Sequence, residues 1–242
     1  MLRRSLLALL AATAVTLANA DWSTFFGSGV VKSEPRAVGT FSGIALSIPA
    51  VVEIKQGEGD SVVVEAEDNV LPQVETAVEG GQLKIRFKDN FNSFRVKQIR
   101  VLVTARKIDS LAISGSGDIR AASLKGDTLS AKIAGSGDIR IGHFEGGSVK
   151  VAISGSGDFT SAGKADSLEG SIAGAGDIRA DKLETKRAAI KVAGSGSAKI
   201  WVREALSVSV AGSGNVGYYG DPAVSKSVAG SGSLKRLGAA PG

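Results

Sequence analysis

A tetrapeptide motif that occurs seven times fixes most of what this chain can become. Gly115-Ser116-Gly117-Asp118 is followed by related motifs beginning at Gly135, Gly155, Gly174, Gly194, Gly212 and Gly230, at successive offsets of 20, 20, 19, 20, 18 and 18 residues. A period of this size, sustained over many copies, describes the stacked turns of a solenoid, in which each unit buries its apolar side only against its neighbours. Aligning the copies on their glycines exposes two apolar columns. Two residues before the first glycine stand Ile113, Ile133, Ile153, Ile172, Val192, Val210 and Val228, and just after the fourth motif position stand Ile119, Ile139, Phe159, Ile178, Ala198, Val216 and Leu234. Strand alternation adds Leu129 and Ala131 before Ile133, and Val149 and Val151 before Ile153. These are the inward ladders of a tube. The 32 glycines supply its corners, and with aromatics at only 5% the core must be built mainly from Val, Ile, Leu and Ala.

A turn of 18–20 residues fits three short strands joined by corners, and successive parallel crossovers are right-handed by default. The predicted class is therefore all-β, a right-handed parallel β-solenoid (β-helix) whose regular part, residues 108–237, holds about seven turns. Residues 37–107 read as an irregular β-rich region. Alternation marks strands at Ile44, Leu46 and Ile48, at Val52 and Ile54, at Val62 and Val64, at Leu83, Ile85 and Phe87, and at Ile99, Val101 and Val103. Asp68-Asn69 followed by Val70, Leu71, Val74 and Val78 has helical spacing and predicts one short helix, with Pro72 tolerated in its first turn and Gly80-Gly81 at its end. Asp89 to Ser93 reads as a loop, residues 21–36 as an extended lead-in, and residues 238–242 as a tail.

The first 20 residues carry the marks of a secretory signal peptide: Arg3 and Arg4, a mostly apolar run from Leu6 to Leu17, and the small-x-small site Ala18-Asn19-Ala20. The run is shorter than the roughly 20 residues that span a bilayer. Of 29 basic side chains, 27 remain without Arg3 and Arg4, against 24 acidic ones, a balance of +3. That mild charge offers no dense basic stripe and argues against nucleic acid as a partner. No cysteine is present, so neither disulfides nor a lipid-anchoring thiol is expected. The mature chain is expected in the periplasm or the medium, without a membrane span.

The Phe41-Ser42-Gly43-Ile44 start, the Leu83-Lys84-Ile85 strand and the recurring Ile-Ser-Gly-Ser-Gly-Asp-Ile resemble the bacterial family called the putative auto-transporter adhesin, head GIN domain. The resemblance covers about residues 40–235. It implies an exported β-solenoid with an adhesive role and brings no catalytic residues. No translocator barrel follows the repeats, so self-driven secretion through an outer membrane is not expected.

Two constellations on the tube invite a ligand. Asp118, Asp138, Asp158 and Asp177 form a column, continued by Ser197, Asn215 and Ser233. Stacked carboxylates suit a hard cation such as calcium. The alternative is an outward polar ladder neutralised by Arg120, Arg140 and Arg179, each two residues beyond its aspartate. Trp201 and Tyr219 share a second column, each five residues after the second motif glycine, with Lys199 nearby, and outward aromatic rings there suit stacking on sugars. The single histidine, His143, has no partner that spacing can place. No catalytic residue is assigned, and no cofactor other than that calcium is expected. The chain reads as a non-enzymatic binding protein for a cell-envelope or extracellular glycan or protein, with a carbohydrate-active lyase or hydrolase as the alternative.

Overall fold

The structure is a computed structural model that describes residues 25–88 and 94–241. The signal-peptide reading of residues 1–20 and the loop reading of 89–93 lie outside the described residues. In chain order come β1 (Phe25–Phe26), β2 (Val31–Arg36), β3 (Gly43–Leu46), β4 (Ala50–Gln56) and β5 (Ser61–Glu67). After a single 3-10 turn at Leu71–Gln73 follow β6 (Val74–Glu79), β7 (Gln82–Phe87), β8 (Phe94–Arg95) and β9 (Ile99–Ala105). The repeats supply β10 (Ser110–Gly115), β11 (Asp118–Gly135), β12 (Ile139–Gly155), β13 (Phe159–Gly174), β14 (Asp177–Gly194), β15 (Ser197–Gly212), β16 (Asn215–Tyr219), β17 (Ala223–Gly230) and β18 (Ser233–Gly238).

From β10 onward every pairing is parallel and follows the repeat period, giving a β-solenoid of about six turns. Seven tetrapeptides bound six intervals, hence one turn fewer than the number of motifs. Both apolar columns are rows of register partners, from Ile113 through Val228 and from Ile119 through Leu234. Each member is at most 2% exposed until the last turn. Instead of three short strands, a turn is one nearly continuous strand of 16–18 residues from β11 to β15. Bulges between Ile141 and Phe144, and between Ala180 and Glu184, absorb the changes in repeat length.

The corners explain the two motif glycines separately. The first sits at φ between +115° and +133° in all seven copies, a conformation that excludes a side chain. The second has ordinary φ but lies against the turn before it. From Gly137 to Gly232, a Cβ there would fall 2.0–2.6 Å from the carbonyl oxygen of the preceding copy. That closeness lets one carbonyl serve two donors: Ser136 and Gly137 both donate their N–H to the Gly115 oxygen, at 2.9 and 3.1 Å, and the pattern repeats at Gly135, Gly155 and Gly174.

The irregular region completes the tube at its other end. One face runs from β10 through β3 and β7 to β6, and the other from β11 through β4, β9 and β5 to β2. The outermost pairings, β6 with β7 and β2 with β5, are antiparallel. The helix expected from Asp68 to Val78 is not formed beyond the 3-10 turn. Val74 and Val78 instead lie on β6, because Gly80 and Gly81, at φ +60° and +76°, close a hairpin that pairs Val78 with Leu83. Glu79 at this hairpin accepts hydrogen bonds from Lys84 and Arg86, which hold its carboxyl below the usual carboxylate range.

The lead-in also has structure. Gly27 donates to the Arg95 carbonyl at 2.9 Å, and the buried Glu67 carboxylate receives the N–H groups of Gly29 and Lys97 at 2.7 and 2.8 Å. A buried carboxylate satisfied by two backbone donors pins both segments to the cap.

Candidate functional site

The aspartate column is built into the corners. One oxygen of each carboxylate, Oδ1, accepts the backbone N–H of the same position one turn on: Asp138 to Asp118 at 3.2 Å, Asp158 to Asp138 at 2.9 Å, Asp177 to Asp158 at 3.0 Å and Ser197 to Asp177 at 3.1 Å. The other oxygen, Oδ2, faces the arginine column. Arg120 reaches Asp118 at 2.9 Å and Arg140 reaches Asp138 at 2.6 Å. Thr160 stands where the next arginine would, and Arg179 compensates by spanning two turns, at 2.7 Å from Asp158 and 2.9 Å from Asp177. Partial burial works against the Arg179 charge, but the two carboxylates more than offset it and its pKa is raised.

Both carboxylate oxygens along the column therefore have donors. Among the described residues no group of three or more His, Cys, Asp or Glu side chains is placed to hold a metal ion. Asp158→Ala leaves the Asp177 N–H without its acceptor and is expected to cost about 1–3 kcal/mol, whereas Asp158→Asn retains an acceptor oxygen and costs less. Urea unfolding measures both, and repeating it with chelator and with added calcium asks whether a cation contributes. Equal losses for Ala and Asn would remove the hydrogen-bond account.

The aromatic column has a different character. Trp201 and Tyr219 are register partners on β15 and β16, and both rings are half-buried on the outer face. Lys199 lies two residues before Trp201 on that face, exposed, with Gly217 as its partner one turn on. Since Ser197 replaces the aspartate of this turn, Lys199 lacks the carboxylate that its equivalents Arg120 and Arg140 bind, and it makes no ion pair among the described residues. Trp201 also borders an open depression of about 360 Å³ with Glu184, Arg203, Gly220, Asp221 and Ala239. Tyr219 and Lys199 lie outside that lining. Arg203 donates to Glu184 at 2.9 Å, and Arg236 donates to the Gly220 carbonyl at 2.7 Å, fixing the far wall.

Sequence reasoning missed a second hollow. It holds about 470 Å³ and is lined by Leu168, Ala188, Ala189, Ala205 and Leu206, with Glu169 and Arg187 at its rim. It arises where long outward side chains give way to short ones: Lys150 and Glu169, paired at 3.1 Å, are followed in register by Ala189, Ser207 and Ser225, and Arg187 by Ala205 and Ala223. His143 is exposed beside Ser123 in the ladder.

The family described as putative auto-transporter adhesin, head GIN domain, matches residues 40–222. No curated protein matches the sequence. Among solved structures, a putative adhesin from Bacteroides fragilis NCTC 9343 is similar at 21% identity and TM-score 0.82, covering 88% of this chain and 100% of that one. A putative lipid binding protein from Parabacteroides distasonis ATCC 8503 is similar at 23% identity and TM-score 0.73, covering 89% and 100%. A putative adhesin from Parabacteroides merdae ATCC 43184 reaches 0.69 at 21% identity, covering 88% and 99%. At these identities the likeness is one of fold.

Proposed function

Because the chain belongs to the putative auto-transporter adhesin, head GIN domain family, we propose that it is an exported, non-enzymatic binding protein, periplasmic or secreted, whose outer face holds a cell-envelope or extracellular glycan. The observation that carries this reading is the pairing of Trp201 with Tyr219 one turn apart, beside a lysine with no carboxylate partner. Neighbouring strands lie about 4.8 Å apart, so the two rings offer adjoining apolar surface to the faces of sugar rings. Lys199 adds a charge for an acidic or phosphorylated substituent, and Glu184, Arg203 and Asp221 offer hydrogen-bonding groups at the edge of the same surface.

Glycan-array binding by the purified protein tests the reading. Trp201→Ala and Tyr219→Ala are each expected to weaken binding by about tenfold or more, which corresponds to roughly 1.4 kcal/mol. Lys199→Ala should reduce binding only to anionic glycans. Unchanged binding in the double aromatic variant would sink the assignment of this face. Release of oligosaccharides by the wild-type protein would replace it with the enzymatic reading.

A further inference from the structure

The two ends of the tube are finished differently. At the capped end the outer strands are antiparallel, and β2 carries Pro35 together with Lys32, Glu34 and Arg36, features that discourage a strand edge from pairing further. At the opposite end β17 and β18 simply continue the parallel ladder. All eight residues of β17 are exposed. Positions buried in every earlier turn surface here: Val224 is 41% exposed and Val228 40%, against 2% and 1% for their register partners Leu206 and Val210. Between the two valines, in the column occupied by Val151, Ile190 and Val208, stands Lys226. Among the described residues it makes neither an ion pair nor a side-chain hydrogen bond. Residues 223–238 hold three cations, Lys226, Lys235 and Arg236, and no acid; Arg236 is paired with Asp221 at 3.8 Å, which leaves Lys226 and Lys235 without an ion-pair partner among the described residues.

We propose that this open turn is a docking site for an extended segment of a partner protein, which adds to β17 as a further strand and places a carboxylate opposite Lys226. Three observations support that occupant. The edge presents a row of backbone N–H and C=O groups whose natural complement is another strand, and strand addition draws its affinity from such groups. The solenoid also keeps its register column by column, so the chemistry wanted at each position of the added strand is set: apolar over Val224 and Val228, acidic over Lys226. Charge decides between partners. A second copy docked on the same turn would set the unpaired Lys226 and Lys235 against the same two cations, whereas an acidic segment is matched. A lipid surface could satisfy the charge and the valines but would leave the strand edge without a pairing partner.

The test appends a strand to the full chain. A flexible Gly/Ser linker of about 15 residues, with a root-mean-square reach of about 20 Å, follows Gly242 and carries a copy of residues 205–212 with Val208→Asp. Amide hydrogen exchange across residues 223–230 is expected to slow at least tenfold relative to the unextended protein. The same extension carrying Val208→Lys should give little protection, and Lys226→Glu in the body of the protein should reverse the preference. Lys226→Gln, which removes the charge with minimal change of shape, should abolish it. Trp201→Ala should leave the protection untouched, which separates this site from the glycan-binding face. Equal protection by the Asp and Lys extensions, or by neither, overturns the proposal. So would pelleting of the unextended protein with phosphatidylglycerol vesicles in a Lys226-dependent manner without strand protection, which assigns the end to lipid. Concentration-dependent association abolished by Val224→Asp would assign it to a second copy.

Discussion

Gly157→Ala is expected to destabilise the protein by about 3 kcal/mol or more, while Gly126→Ala leaves stability within about 0.5 kcal/mol. Both add one methyl group to a glycine of the solenoid wall, and the difference lies in what the methyl meets. At Gly157 it would fall 2.1 Å from the Gly137 carbonyl oxygen and 2.7 Å from the Ile133 Cγ2 atom. Neither neighbour is free to move. The carbonyl belongs to the preceding corner and Ile133 is 1% exposed in the core. Relief would require the turns to separate, breaking the pair of hydrogen bonds that Ser156 and Gly157 donate to the Gly135 carbonyl at 2.9 and 3.1 Å. At Gly126 the nearest atoms would be 3.8 Å away, an ordinary contact. Urea unfolding of the two variants measures the contrast, and similar losses in both would show that inter-turn spacing is not what the second motif glycine protects.

Phe144→Ala should lower stability by about 3–5 kcal/mol, with Phe144→Leu losing appreciably less. Phe144 and Phe159 are the largest fully buried side chains, both at 0% exposure, in neighbouring turns of a repeat region whose other buried hydrophobic side chains are aliphatic. The Phe144 ring reaches over Gly146, where an added Cβ would lie 2.8 Å from the ring's Cζ atom, so that glycine is part of the same packing solution. Removing the ring leaves a cavity that the ladder cannot close, because the strands on either side are fixed by backbone pairing to Leu124 and Gly163. Val228→Ala in the exposed last turn provides the comparison and should cost well under 1 kcal/mol, since the side chain is already 40% exposed. Thermal unfolding with calorimetry checks all three.

The regular half of the fold was legible because a parallel, in-register stack turns sequence alignment into geometry. Residues sharing a column in the aligned repeats are hydrogen-bonded neighbours, so the core could be read from Ile113 and Ile119 onward. The capping region offers no such repetition. Val74 and Val78 satisfy helical spacing and strand alternation equally, and only the Gly80-Gly81 hairpin, which brings Leu83 opposite Val78, settles the choice. At the candidate site the coincidence of Trp201 with Tyr219 was visible, whereas the hydrogen bonds made by each aspartate were not. Whether a carboxylate meets a cation or the next turn's N–H depends on distances near 3 Å that no spacing rule reports. Lys226 stood in plain view within an apolar column, but its meaning depends on knowing that no other described residue covers the last turn.

The corner hydrogen bonds also have a direction in time. Gly115 and Asp118 supply acceptors to Ser136, Gly137 and Asp138, which lie later in the chain, and Gly135 and Asp138 do the same for Ser156, Gly157 and Asp158. A polypeptide delivered from its N-terminus therefore meets, for these bonds, acceptors that have already emerged, whereas the bonds that Ile119 and Ile139 donate to the Asp138 and Asp158 carbonyls, at 2.8 and 2.9 Å, close only when the next turn arrives. The earliest segment to arrive also contains the antiparallel cap, which gives the first repeat a finished surface to stack on through β3 and β4. For the glycine and aspartate acceptors, the order of synthesis and the order in which the turns depend on one another coincide.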